Sequence, residues 1–180
     1  LLHDAVEKYP SHTCMEFLGR EWTYAETSQM AAQAAKGFKD LGVGKGTRVG
    51  LLLPNSPYYV AAFFGVTMAG GTVVNMNPLY AVRELEGMAS DADINVLVTM
   101  DLTAMYPKAL ELLENNTVKK LVVCSMSKAL PIGTSILFNL FKRSTISNVE
   151  DDERQIWWDE LIDNDGAFTP VNIAPRDDVA

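Results

Sequence analysis

Four short apolar runs, spaced roughly 24 residues apart, restrict this chain to a narrow set of folds. They are Arg48-Val-Gly-Leu-Leu-Leu53, Thr72 to Met76, Asn95-Val-Leu-Val-Thr99 and Lys120-Leu-Val-Val-Cys124. A strand with one wet face would alternate apolar and polar residues. These runs do not, so each reads as a strand covered on both faces, the environment of a parallel sheet. Helical segments fill the gaps between them. Ser56 is placed as an N-cap and Pro57 at the first helical position, opening a helix over Tyr58 to Ala69 that Gly70-Gly71 ends. That helix is apolar almost all round and must be deeply packed. Arg83 to Ala89 is a further helix, and Asp101 is expected to cap the next, which runs to Leu113. Strand, helix and strand in succession require right-handed crossovers. The expected fold is therefore α/β: a doubly wound, mostly parallel sheet flanked by helices. Ligands of such sheets sit beyond the carboxyl ends of the strands. Here those ends are Pro54-Asn55, Met76-Asn77-Pro78, Met100-Asp101 and Ser125.

The chain before the first run has its own signals. Leu2, Val6 and Tyr9 recur at helical spacing up to Pro10. Thr13 to Leu18 and Arg20 to Thr23 read as a hairpin turning at Gly19. Thr23-Tyr-Ala-Glu26 is a capping box, in which hydroxyl and carboxylate each cover a free N–H. An Ala-rich helix follows through Met30, Ala34, Phe38 and Leu41 and stops at Gly42. Residues 1–125 thus form the expected α/β unit with its N-terminal hairpin. Residues 126–180 break the rhythm. Leu130 to Phe141 is apolar and closes on Lys142-Arg143, Ser144 to Glu153 is polar and reads as a loop, and Trp157 to Ile162 reads as a short helix.

Composition removes several classes of function. With 48% hydrophobic and 21% charged residues the chain is too apolar for disorder. A formal net charge of −8 disfavours binding to nucleic acid. Cys14 and Cys124 have no partner motif and fit buried thiols in a reducing compartment, so a cytoplasmic protein is expected. No stretch reaches the length of a membrane span, and the N-terminus lacks the features of a signal peptide. The absence of an initiator methionine and the unremarkable end at Asp177-Asp178-Val179-Ala180 read as an excised piece of a longer chain.

Motifs that tempt a catalytic reading mostly dissolve. Gly42-Val-Gly-Lys-Gly-Thr47 has Gly after Lys45 where a phosphate loop needs Ser or Thr, and it precedes a strand where a phosphate loop follows one. A helix stop and a turn account for its glycines. No strand is followed by Gly-x-Gly-x-x-Gly, which argues against a dinucleotide-binding oxidoreductase domain. No Gly-x-Ser-x-Gly elbow occurs. His3 and His12 are too few for a metal site or triad, and Glu150-Asp-Asp-Glu153 reads as a solvated loop. Trp157 and Trp158 read as one face packed and the other partly exposed. Ile132, Ile136 and Leu140 fall on one helical face, which suits either an interfacial membrane helix over 130–143 or burial against a partner domain.

One ordered set of residues carries more weight. Trp22-Thr-Tyr-Ala-Glu26, Leu41-Gly-Val-Gly-Lys-Gly-Thr-Arg-Val49, Leu53-Pro-Asn-Ser-Pro57, Ala69-Gly-Gly71, Val74-Asn-Met-Asn-Pro-Leu-Tyr80 and Arg83-Glu-Leu85 follow one another at matching spacing. The succession resembles the front of an AMP-forming acyl-CoA synthetase of the adenylate-forming superfamily. The segment from Leu130-Pro131 to Arg143, ahead of Trp157 and Pro175-Arg-Asp-Asp178, is similar to the bacterial long-chain fatty-acid–CoA ligases. The resemblance covers nearly all of this chain and only the first part of a family enzyme. It implies a whole enzyme that uses ATP, Mg2+ and CoA to activate a fatty acid, with none of these held tightly by this piece. The family's Thr/Ser/Gly-rich phosphate loop with its Lys, the Glu for magnesium, the Asp for ribose and the C-terminal Lys have no counterpart in residues 1–180. No catalytic residue is therefore assigned, and the piece alone is expected to be inactive. What the resemblance leaves to it is scaffold and cleft wall, with Pro54, Asn55, Asn77, Pro78 and Tyr80 as candidates for the substrate-facing surface. Peripheral membrane contact would run through 130–143. A non-catalytic α/β interaction module is the main alternative reading.

Overall fold

Each of the four apolar runs becomes a strand, and the period of two within them decides which side chains meet which helix. The structure, a computed structural model, describes residues 2–131, 133–135, 138, 143–169 and 171. It opens with helix α1 (Leu2–Lys8), the antiparallel hairpin β1 (Thr13–Phe17) and β2 (Arg20–Thr23), and helix α2 (Tyr24–Asp40). There follow β3 (Arg48–Leu52), α3 (Pro57–Ala69), β4 (Thr72–Asn75), α4 (Val82–Asp91), β5 (Ile94–Met100), α5 (Tyr106–Glu114) and β6 (Lys120–Cys124). A short α6 (Met126–Ala129), β7 (Gln155–Trp157) and α7 (Trp158–Leu161) come last. The main sheet has five strands in the order β4-β3-β5-β6-β7, and every pairing in it is parallel.

Alternate strand residues feed two cores. On one face Val49, Leu51, Val98 and Val122 pack with Phe38 of α2, Val66 of α3 and Trp158 of α7. On the other, Leu52, Leu97, Leu121 and Val123 pack with Leu85 and Ala89 of α4 and Tyr106, Leu112 and Leu113 of α5. Each fully buried side chain of this size stabilises the fold by about 1.5–3 kcal/mol. Helices α2 and α3 touch through small residues. Ala31, Ala34 and Ala35 have no exposed surface, and a Cβ on Gly65 would lie 2.7 Å from the Cβ of Ala34 and 3.2 Å from its backbone. That close approach needs glycine, and a larger residue would force the helices apart.

The local signals at helix ends are used as expected. Thr23 Oγ1 accepts from Glu26 N–H at 3.2 Å, and the Glu26 carboxylate accepts from Thr23 N–H at 2.8 Å, so the capping box holds α2. Those bonds to the charged form hold the Glu26 carboxyl below its usual range. Ser56 Oγ accepts from Tyr59 N–H at 3.3 Å at the start of α3. Gly42 and Gly46 take positive φ of 87° and 83° between α2 and β3, which is a helix stop and a turn rather than a phosphate cradle.

Three expectations need correction. The β4 run was expected to be buried on both faces; it pairs with β3 alone, at the sheet edge, and its first three residues are half-buried. Gln155 and Ile156, which the sequence assigns to no element, and Trp157, expected to open a helix, form a fifth parallel strand that continues the sheet beyond β6. Asp101 does not cap α5. Residues 101–105 form a turn, the residue before α5 is Met105 without a side-chain cap, and the Asp101 carboxylate is used elsewhere. The apolar stripe over 130–143 turns on Ile132, Ile136, Leu137, Leu140 and Phe141, which lie outside the described residues. Trp157 is 41% exposed while Trp158 is 1% exposed, so one of the pair is core and the other faces outward.

Candidate functional site

Strand order fixes where a ligand can enter. From β3 the chain steps to β4 on one side, then returns across β3 to β5 and continues to β6 on the other. The order reverses between β3 and β5, and beyond the carboxyl ends of two such strands the adjoining loops part and leave room for a ligand. Pro54 and Asn55 lie at that switch point, just past the end of β3, with Pro54 half-buried and Asn55 exposed. Asn77, Pro78 and Tyr80 follow β4, one strand away on the same rim. The five residues named from sequence therefore share one end of the sheet, on two adjacent loops.

The loop after β4 has a defined shape. Met76, 3% exposed, donates its N–H to Leu51 O at 3.1 Å and anchors the loop to β3. Asn77 Oδ1 then accepts from Leu79 N–H at 3.0 Å, and Asn77 O accepts from Tyr80 N–H at 3.1 Å. This is a side-chain-supported turn of the kind Asn favours. It leaves Leu79 88% exposed and Tyr80 40% exposed. From below, Lys108 Nζ of α5 donates to Pro78 O and to Tyr80 O, each at 2.8 Å. At the other side Tyr59, in the first turn of α3, donates its hydroxyl to Asn75 Oδ1 at 2.9 Å. Sequence reasoning missed Lys108 and Tyr59. Lys108 had one readable sign: a cation in the first turn of a helix opposes the helix dipole, so it needs another partner.

The ends of β5 and β6 are built differently. Asp101 is 4% exposed, and its Oδ1 accepts from Met126 N–H at 2.8 Å. Its backbone N–H donates to Cys124 O at 2.9 Å, and its own carbonyl accepts from Ser147 N–H at 2.7 Å. Burial pushes the Asp101 carboxyl above its ordinary value, opposed by the bonds from Met126 N–H and the Ser125 side chain. The Tyr58 hydroxyl donates to Ser125 O at 2.9 Å, and burial pushes both that phenol and the Cys124 thiol up. Tyr58 and Phe38 meet Trp158 edge to face, with ring centroids 5.5 and 6.5 Å away. The Asp101 carboxylate and the Tyr58 hydroxyl are thus turned inward, tying the segments after β5 and β6 together.

A cavity of about 280 Å³ opens beside β7, lined by Val123, Val149, Glu150, Asp151, Asp152, Gln155, Ile156, Trp157 and Glu160. Four carboxylates make it a poor host for nucleotides, carboxylates or other anions. Asp152 is tied to Arg154 at 2.7 Å, which holds its carboxyl down at about 2. Among the described residues no group of three or more His, Cys, Asp or Glu is placed to hold a metal ion.

These observations meet the comparisons with known proteins. The family model for AMP-binding enzymes matches residues 2–179, and the chain belongs to that family. It is 34% identical over 146 residues to a long-chain-fatty-acid–CoA ligase of Bacillus subtilis (strain 168), covering 81% of this chain and 26% of that protein. It is 30% identical over 141 residues to the long-chain-fatty-acid–CoA ligase of Escherichia coli O157:H7, covering 77% of this chain and 25% of that protein. Among solved structures, the anthranilate CoA ligase AuaEII in complex with anthranoyl-AMP superposes with a TM-score of 0.63 at 27% identity, over 84% of this chain and 28% of that one. The chain thus spans about a quarter of the length of the relatives it matches. No helix among the described residues is long and apolar enough to cross a membrane.

Proposed function

We propose that this chain is the front part of a fatty-acid–CoA ligase that takes long-chain acids. The observation that carries the reading is the 34% identity to the Bacillus subtilis ligase over 81% of the chain. In the proposed reaction a carboxylate oxygen of the acid attacks the α-phosphorus of ATP, and pyrophosphate leaves. The CoA thiolate then attacks the acyl carbon, and AMP leaves. A carboxylate is a poor electrophile at its carbon, and adenylation gives it a good leaving group. The role of this chain is scaffold and wall. Pro54, Asn55, Asn77, Pro78 and Tyr80 would face the substrate from the rim of the sheet, and the transferring charge would be handled outside residues 1–180, because these contain no phosphate-binding loop.

ATP–pyrophosphate exchange by the full-length protein tests the reading. Exchange driven by long-chain fatty acids supports it, and exchange driven only by aryl acids or amino acids overturns it. The 180-residue chain by itself is expected to give no exchange above background. The proposal extends to a cytoplasmic enzyme that touches a membrane surface through 130–143, supported by the apolar spacing there and by Lys142-Arg143. Co-sedimentation with anionic vesicles at low salt would show it, and a protein that stays in the supernatant would remove it.

A further inference from the structure

We propose that Lys108 is a positioning residue: by clamping the backbone of the loop after β4 it sets Leu79 and Tyr80 as a rigid apolar lip against the acyl chain. The inference rests on the cleft-wall reading given above and names the device that would make the wall work.

Lys108 stands in a local electrostatic conflict. Lys108 is the third residue of α5, where free N–H groups and the helix dipole favour an anion. The glutamates of α5, Glu111 and Glu114, lie in its second half, so the helix carries its charges in the reverse of the favourable order. A local rule broken in this way needs a compensating contact. The contact is the pair of carbonyls 30 and 28 residues earlier in the chain, Pro78 O and Tyr80 O, both at 2.8 Å from Nζ. Charge-assisted bonds of this kind are stronger than neutral ones.

What is clamped matters as much. The residues flanking the exposed tip are held by short-range bonds: Leu79 N–H to Asn77 Oδ1, Tyr80 N–H to Asn77 O, and Ala81 N–H to the Glu84 carboxylate at 2.8 Å. Short-range bonds shape a turn but do not fix its height over the sheet. The ammonium of Lys108 joins the turn to the second layer of the fold, and it does so on both sides of Leu79. An 88% exposed leucine on a loop fastened from beneath by its neighbours is a side chain held out for contact. An apolar acyl chain is the ligand class that gains from leucine and a tyrosine ring held in place, because the ordering cost is met before binding.

The test uses the full-length protein with K108M, K108R and Y80A. Hydrogen exchange at the Leu79 and Tyr80 amides reports the clamp, and the KM for a long-chain acid in ATP–pyrophosphate exchange reports the wall. In K108M both amides should exchange about tenfold faster or more. The KM for the acid should rise about three- to tenfold, with kcat within about twofold and the KM for ATP unchanged. K108R, which keeps a cation with several donors, should restore both readouts. K108M combined with Y80A should raise KM no further than Y80A alone, since both act through one loop. Unchanged KM in K108M beside a raised KM in Y80A overturns the clamp and leaves the wall standing, whether or not amide exchange quickens. Unchanged KM in both overturns the wall and the clamp with it. A fall in kcat at constant KM also overturns the proposal. If K108M fails to fold, K108Q takes its place, since it removes the charge from the two carbonyls while keeping a polar side chain at the surface, and the same readouts decide.

Discussion

The loops that follow β4 and β5 occupy equivalent places at the carboxyl end of one parallel sheet, on either side of β3, yet they are built on opposite plans. After β5 the Asp101 carboxylate turns inward. Asp101 is buried, bonded to Met126, Cys124 and Ser147, and backed by the Tyr58–Trp158 aromatic contact. After β4 the backbone is fastened by Lys108 of α5 while Leu79 and Tyr80 are left outside. The first plan spends side chains on stability. The second spends backbone bonds on shape and keeps side chains free for contact. Within one fold, then, one loop is held by side-chain burial and the other by backbone anchoring that leaves its side chains exposed.

Stability measurements can break this contrast. The largest effect should come from W158A, which empties a site 1% exposed and removes ring contacts to Tyr58 and Phe38; a loss of about 3–5 kcal/mol is expected in denaturant unfolding. D101A removes the acceptor for Met126 N–H and should cost about 1–2 kcal/mol. D101N keeps an acceptor without the charge and should change the pH dependence. The raised pKa of Asp101 means that the folded state holds its proton more tightly than the unfolded chain. The stability from this group is then full below the unfolded value and is lost as pH rises through the folded value. Relative to D101N, the parent should lose stability as pH climbs from about 4, and parallel curves would contradict the account. The smallest effect should come from L79S, within about 0.5 kcal/mol, because that side chain is already in water. A large loss in L79S would mean that the loop after β4 is packed, and the contrast would fail.

Much of the fold was legible because the inner strands β3, β5 and β6 are buried on both faces and therefore write themselves as unbroken apolar runs. Arg48 to Leu53 and Lys120 to Cys124 needed no tertiary information. Gln155-Ile-Trp157 escaped because three residues carry no period. Its strand conformation comes from pairing with the open side of β6, a contact with residues 121–123. Asp101 misled for a related reason. Its place before a helical pattern suggested a cap, but the turn at 102–105 separates it from α5 and its carboxylate is claimed by Met126, 25 residues on. The rim residues Pro54, Asn55, Asn77, Pro78 and Tyr80 could be placed because strand connectivity alone decides which loops share an end. The hold of Lys108 on them could not, since a bond across 28–30 residues leaves no local pattern beyond a misplaced charge.

Tyr80→Ala in the full-length protein tests most directly whether the loop after β4 is a wall of the acid-binding cleft. Steady-state ATP–pyrophosphate exchange should show the KM for a long-chain fatty acid raised about three- to thirtyfold, with the KM for ATP unchanged. If kcat and the KM values for ATP, acid and CoA all match those of the parent enzyme, the loop is not a wall of that cleft.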